Sequence, residues 1–159
     1  MAKKQIFIVR HGETEFNKLN IVQGSGVDKA INEQGLAQAQ KFYAMYKDYP
    51  FQHIYISALQ RTYQSVQPFI EKGIPYTILP QLNEISWGEF EGKQQTDAQR
   101  NLYWETVLQW NAGNLHAKIP QGESPLELQA RQKEIIPHLF DNDYEHILIC
   151  MHGRAMKSF

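Results

Sequence analysis

Two stretches of the chain end an apolar run on histidine and glycine. In FIVRHGETEFN, residues 7–17, the run stops at Arg10, His11 and Gly12. In ILICMHGRA, residues 147–155, it stops at His152 and Gly153. A histidine that directly follows a strand is aimed by a rigid element. Gly12 removes a side chain beside it and is expected to let a ligand approach the backbone. Arg10 adds a planar, permanent cation matched to phosphate oxygens. Together they suit an oxyanion held against an imidazole nitrogen, and a neutral imidazole can attack phosphorus to form a phosphohistidine. Such a reaction needs cations where charge gathers in the transition state. It also needs an acid to protonate the leaving alkoxide.

Candidates for these parts stand elsewhere in the sequence. Arg61, in SALQRT, begins a helical pattern just after the run HIYIS and is expected to aim back at the strand ends. His152, if protonated, would add a further charge. Asn17 is a neutral donor in reach of the Arg10 loop. For the acid, Glu84 in LNEISWGEFEG follows a strand and a proline-containing loop, and Trp87 beside it is expected to raise its pKa by desolvation. Glu89 and Glu91 are rival carboxylates in the same segment. Glu13 reads as an ordinary loop carboxylate or a backbone anchor.

These side chains must be positioned by the elements around them. Ile6 to Val9 and Ile147 to Met151 are apolar throughout, the pattern of strands buried on both faces. His53 to Ser57 and Tyr76 to Leu79 supply two more strands. Helical patterns lie between them. In Glu33 to Tyr46, Leu36, Ala39, Tyr43 and Tyr46 share a face and Asn32 is the expected N-cap. Leu59 to Ile70 is the second helix, which Pro68 is expected to kink or shorten. Asp97 to Trp110 is the third, with Trp104, Val107 and Leu108 expected to face inward. Ser124-Pro125-Leu126-Glu127 starts the fourth with a capping box, and Leu128, Ile135, Ile136 and Leu139 mark its expected buried face. Alternating strands and helices predict an α/β fold, a mostly parallel sheet sandwiched between helices. Ligands of open α/β sheets gather beyond the carboxyl ends of the strands. If the strands that end on His11 and His152 are neighbours, both imidazoles reach one spot.

Bulk properties narrow the function. The chain has 159 residues, the size of one domain, and a net charge of −1. That balance carries no footprint of a nucleic-acid or membrane binder. The apolar run near the N-terminus is too short for a signal peptide or a membrane span. A lone cysteine, Cys150, excludes a disulfide framework and a cysteine zinc site, and reads as a buried core residue in a reducing compartment. A cytoplasmic protein is expected. His53, His116, His138 and His146 read as ordinary polar residues, and no histidine pair has zinc-ligand spacing on one helix. Trp87, Phe90, Trp104 and Trp110 read as core more than as substrate wall. Oligomeric state leaves no signal in the sequence.

The ordered set RHGET with Asn17, SALQRT, LNEISWGEFEG, PQGESPLELQAR and MHGRA resembles the histidine phosphatase superfamily, which includes cofactor-dependent phosphoglycerate mutases and many small phosphatases. The resemblance spans residues 6–157. It implies a phosphoglycerate mutase-like fold and a phosphorylated nucleophile at His11. It implies a phosphate pocket of Arg10, Arg61 and His152, with Asn17 and Gly12 as further contacts, and an acid and water-activating base at Glu84. It implies a small phosphorylated substrate and neither cofactor nor metal. Members of the family usually run on past the second His-Gly with a helix and often an edge strand, so residues 1–159 are expected to form a single domain that is C-terminally incomplete. Pro68 departs from the family's uninterrupted helix. The function expected is phosphomonoester hydrolysis. Two alternatives stand beside it. A mutase would need extra cations for a carboxylate and a second phosphate, and residues 84–124 offer only Lys93, Arg100 and Lys118. A non-catalytic phosphate-binding domain would keep the pocket without turnover.

Overall fold

The computed structural model describes residues 3–159. Four strands form one parallel sheet in the order β1-β4-β2-β3: β1 (Gln5–Arg10), β2 (His53–Ile56), β3 (Tyr76–Ile78) and β4 (His146–Met151). Seven helices accompany them: α1 (Glu15–Lys18), α2 (Glu33–Tyr46), α3 (Gln60–Glu71), α4 (Asp97–Asn111), α5 (Pro125–Lys133), α6 (Ile136–Phe140) and α7 (Ala155–Ser158). Among the described residues no helix is long and apolar enough to cross a membrane.

The sheet buries side chains on both faces, and strand periodicity sorts them. Along β4, Ile147, Ile149 and Met151 join one cluster with Leu82, Phe90, Val107, Trp110, Leu128 and Leu139, under the side that carries α4, α5 and α6. Leu148 and Cys150 point the other way, into a cluster with Ile54, Ile56, Val66 and Phe69 beneath α2 and α3. This is the expected helix-sheet-helix layering, and Cys150 is buried as read.

Topology sets up the site. Strand β2 lies two positions from β1, and β4, the last strand in sequence, occupies the place between them. Arg10 then pairs with Met151 in register, and the His11 N–H donates to the Met151 carbonyl at 3.1 Å. The next residues, His11 and His152, leave adjacent strands at the same level.

Several local expectations are corrected. β1 is not buried on both faces, because it lies at a sheet edge and Ile8 is 37% exposed. Asn32 caps α2 as read, accepting from the Gly35 N–H at 2.9 Å, but Leu36 faces solvent. α3 passes through Pro68 to Glu71, with the proline in its last turn, where few further bonds depend on it. On α4, Trp104 and Leu108 are exposed; the buried positions are Thr106, Val107 and Trp110. The fourth helical pattern splits into α5 and α6, because Pro137 has no N–H to continue the ladder. Ile135 and Leu139 are buried there and Ile136 is not. α5 does begin with the reciprocal Ser124–Glu127 capping box.

Candidate active site

Two imidazoles from opposite ends of the chain meet beyond the carboxyl end of the sheet. The rings of His11 and His152 lie with centroids 5.1 Å apart. His53 and His146 begin β2 and β4, at the other end of the parallel sheet.

The hydrogen bonds of each ring fix its tautomer. His11 Nδ1–H donates to the Gly12 carbonyl at 2.7 Å, which leaves Nε2 with a free lone pair. Burial, helped by the charges of Arg61 and Arg10, lowers the His11 pKa to about 3 against the opposing pull of the Gly12 carbonyl. The ring is therefore neutral near pH 7, the form with a lone pair to share. His152 accepts from Arg61 Nε at 3.3 Å on Nδ1, so its proton is on Nε2, which donates to Ser57 Oγ at 2.8 Å. Burial first, and then Arg61, hold His152 well below its ordinary pKa. The conditional expectation of a charged His152 gives way to a neutral ring. Cationic charge comes instead from Arg10 and Arg61.

Arg61 is fully buried at the start of α3. Besides His152 it donates to the carbonyls of Val27 at 2.6 Å and Gly24 at 3.2 Å. Its partners are neutral, so its positive charge stays uncompensated by direct pairing. Arg10 ends β1 exposed, its guanidinium lying close over Gly153, where an added Cβ would stand 3.3 Å from Nε. Glycine at 153 thus makes room for Arg10. Gly12 has a different task from the one expected. A Cβ there would meet the Gly35 carbonyl oxygen at 2.7 Å, and its N–H donates to Ser65 Oγ at 2.7 Å. Gly12 lets α2 pack against the His11 turn and has no N–H left for a ligand.

Glu84 is 7% exposed and ties two segments together. Its Oε1 accepts from the N–H groups of Ile85 at 2.9 Å and Ala155 at 2.8 Å, and its Oε2 from Arg154 N–H at 3.0 Å. Burial raises its pKa, and these backbone donors and Arg61 only partly oppose the rise. A carboxyl inclined to keep its proton can act as an acid. The rivals are placed otherwise. Glu89 is exposed, and Glu91 braces two loops by accepting from Gly26 and Trp87 N–H groups, each at 2.8 Å. Glu13 is an anchor, accepting from Asn32 Nδ2 at 2.8 Å.

A cleft of about 830 Å³ opens over this region, bordered by Arg10, Asn17, Glu84, Trp87, Tyr103 and Trp104 among others. His11 borders a smaller pocket of about 250 Å³, and Arg10 borders both. Asn17 closes a capping box at α1: its Oδ1 accepts from the Thr14 N–H at 3.0 Å, which frees its amide N–H groups. Trp87, Phe90 and Trp110 are core as expected, whereas Trp104 is wall. Sequence reading missed Ser57, Ser65 and Arg154. The first lies inside SALQRT and the last inside MHGRA, but nothing in residue type alone separates a serine that orients a ring from a surface serine. Among the described residues no group of three His, Cys, Asp or Glu gathers to hold a metal ion.

Comparison with known proteins agrees with this architecture. Residues 6–159 match the model of the histidine phosphatase superfamily, branch 1. A phosphoglycerate mutase of Schizosaccharomyces pombe is 32% identical over 99% of this chain and 78% of its own length. The adenosylcobalamin/alpha-ribazole phosphatase of Salmonella typhimurium is 27% identical over 96% of this chain and 76% of its own. Among solved structures, Bacillus stearothermophilus YhfR superposes with a TM-score of 0.80 at 27% identity, covering 97% of this chain and 76% of that one. Mutases and phosphatases both stand among the relatives, and the fold is phosphoglycerate mutase-like. The chain belongs to branch 1 of the histidine phosphatase superfamily.

Proposed function

We propose that the chain hydrolyses phosphomonoesters through a phosphohistidine on His11. The observation that carries this reading is the tautomer of His11, with Nδ1–H bound to the Gly12 carbonyl and Nε2 left as a neutral nucleophile. The phosphoryl group enters past Arg10, which borders both the cleft and the pocket of His11. Arg10, Arg61 and Asn17 hold its oxygens, and His152, its two ring nitrogens engaged by Arg61 and Ser57, positions the Arg61 guanidinium. His11 Nε2 gives its lone pair to phosphorus as the bond to the ester oxygen breaks. Glu84 donates its proton to the departing oxygen. Water then attacks phosphorus, Glu84 takes its proton, and the P–N bond breaks to release phosphate. Removing one hydrogen-bond donor from a developing oxyanion typically costs about 10²–10³-fold in rate, roughly 3–4 kcal/mol.

Turnover of an aryl phosphate by the chain and by His11→Ala tests the reading. Loss of turnover in the variant supports it; an unchanged rate would mean that His11 is not the nucleophile. A mutase reading is favoured by one feature, the extra cations Arg100, Arg154 and Lys157 at the cleft. Phosphoglycerate mutase activity that depends on 2,3-bisphosphoglycerate, in a coupled assay, distinguishes it. Phosphate binding without turnover of any ester would instead indicate a non-catalytic phosphate-binding domain.

A further inference from the structure

The segment PQGESPLELQAR supplies no group to the reaction proposed above, yet two of its charged residues close on the loop that carries Glu84. Arg131 stands in the last turn of α5 with its side chain 22% exposed. A guanidinium has five N–H donors, and here all five are used. Nε donates to Glu123 Oε1 at 2.7 Å and Nη2 to Glu123 Oε2 at 2.9 Å, a two-point ion pair. Nη1 donates to the carbonyls of Gln81 at 2.7 Å and Asn83 at 3.0 Å. The remaining Nη2 hydrogen goes to the carbonyl of Glu84 itself, at 3.0 Å. Glu123 completes the clamp. Its Oε2 accepts from the Ser86 N–H at 3.2 Å, and its own N–H donates to the Ser86 carbonyl at 2.9 Å.

This clamp bears on the acid. Glu84 is held at both ends, its carbonyl by Arg131 and its carboxyl by the N–H groups of Ile85, Arg154 and Ala155. One short side chain joins those ends. A shift of the loop must therefore move the carboxyl or break its bonds to residues 154 and 155. The loop lies between β3 and α4 and has no strand beside it to resist such a shift. Arg131 itself borders a separate hollow of about 520 Å³, together with Asn83, Ser86 and Glu123, and does not border the large cleft. Its grip on the backbone is what reaches the chemistry. A lysine could not copy it, because an ammonium has three donors on one nitrogen and no planar fork.

Resting on the assignment of Glu84 as the acid, we infer that Arg131, braced by Glu123, is a positioning residue that sets the place of the Glu84 carboxyl at the leaving oxygen.

The test is Arg131→Lys in the full chain, which keeps the charge and loses the fork. In single-turnover assays ethyl phosphate should lose about tenfold to a hundredfold, the cost of misplacing a catalytic group by about an ångström, whereas nitrophenyl phosphate, which leaves without a proton, should stay within about threefold. Placed on Glu84→Gln, the same substitution should cost ethyl phosphate no more than about threefold, because residues that act as one unit are not additive. Equal slowing of both esters in Arg131→Lys, or an undiminished cost on Glu84→Gln, overturns the inference. Should Arg131→Lys not fold, Glu123→Gln keeps the three carbonyl bonds, weakens the brace and is expected to slow ethyl phosphate selectively; equal slowing there overturns the inference too. Amide hydrogen exchange needs no turnover. The Arg154 and Ala155 N–H groups bound to Glu84 should exchange about tenfold faster in Arg131→Lys, with the β4 amides unchanged. Protection equal to the parent's at residues 154 and 155 overturns the inference whether or not any ester is hydrolysed. If those amides loosen but Glu84→Gln itself slows alkyl and aryl esters alike, the acid assignment fails and the clamp on the carboxyl stands.

Discussion

Replacing Glu84 with glutamine separates its proton from its architecture. The carboxylate accepts two backbone N–H groups on Oε1 and one on Oε2. A glutamine oxygen can keep the Ile85 and Ala155 donors. Its NH₂ group then faces the Arg154 N–H, donor against donor, in a site only 7% exposed. An unmet donor there costs about 1–3 kcal/mol of stability. The catalytic loss has another origin. A general acid contributes about 10²–10⁴-fold when the leaving group is a poor one. An alkyl phosphate should therefore lose that factor in Glu84→Gln. A nitrophenyl phosphate, whose phenolate leaves without a proton, should lose less than tenfold in the bond-breaking step. The assay is single-turnover formation of alcohol or phenol, so that the later hydrolysis step does not intrude. The pH profile adds a sign. Because burial raises the Glu84 pKa, the protonated acid persists above the ordinary carboxylate range, and the alkyl rate should fall only as pH rises through that raised value. Glu84→Gln should lack this limb. Equal losses for the alkyl and aryl esters would refute the acid assignment and leave Glu84 as a strut for α7.

Three further outcomes follow from the same geometry. His11 has a folded pKa lowered to about 3, so an unfolded chain takes up a proton that the folded one refuses. Stability should therefore fall as pH drops from about 6 towards 4, and the slope in His11→Asn should be shallower by about 1.4 kcal/mol per pH unit; parallel urea-derived curves would contradict a neutral buried ring. Gly12→Ala drives a Cβ to 2.7 Å from the Gly35 carbonyl oxygen, and overpacking against backbone should lower stability by about 1–3 kcal/mol. A urea midpoint within error of the parent would show that α2 is not seated as described. Ser57→Ala removes the acceptor of the His152 Nε2–H at 2.8 Å and should cost about 1–3 kcal/mol with weaker inhibition by inorganic phosphate, whereas unaltered stability and inhibition would mean the ring is oriented by other groups.

The parts of the fold legible in the sequence were those written in local chemistry. The apolar run at β4 predicts a strand buried on both faces, and it is one. Asn32 and Ser124 mark helix starts because each carries a side-chain acceptor at the N-cap. The convergence of His11 and His152 was readable as a possibility, since both follow strands of one design, but only the register of β1 on β4 makes it a fact. What resisted was decided by surroundings. Trp104 and Trp110 are the same residue type on one helix, and the face that meets the sheet buries the second and leaves the first at the cleft. Gly12 reads as an opening for ligand until the Gly35 backbone is seen to occupy the space. The neutrality of His152 depends on burial first and then on the charge of Arg61, 91 residues away in sequence, which no local pattern encodes.

The central claim is that the neutral Nε2 of His11 takes the phosphoryl group. Rapid acid-free quenching during turnover of a ³²P-labelled phosphomonoester, followed by peptide mapping, tests it most directly. The account predicts label that is stable to base, labile to acid and confined to the peptide containing His11. Hydrolysis that proceeds with no trapped label, or with label on another residue, would contradict it.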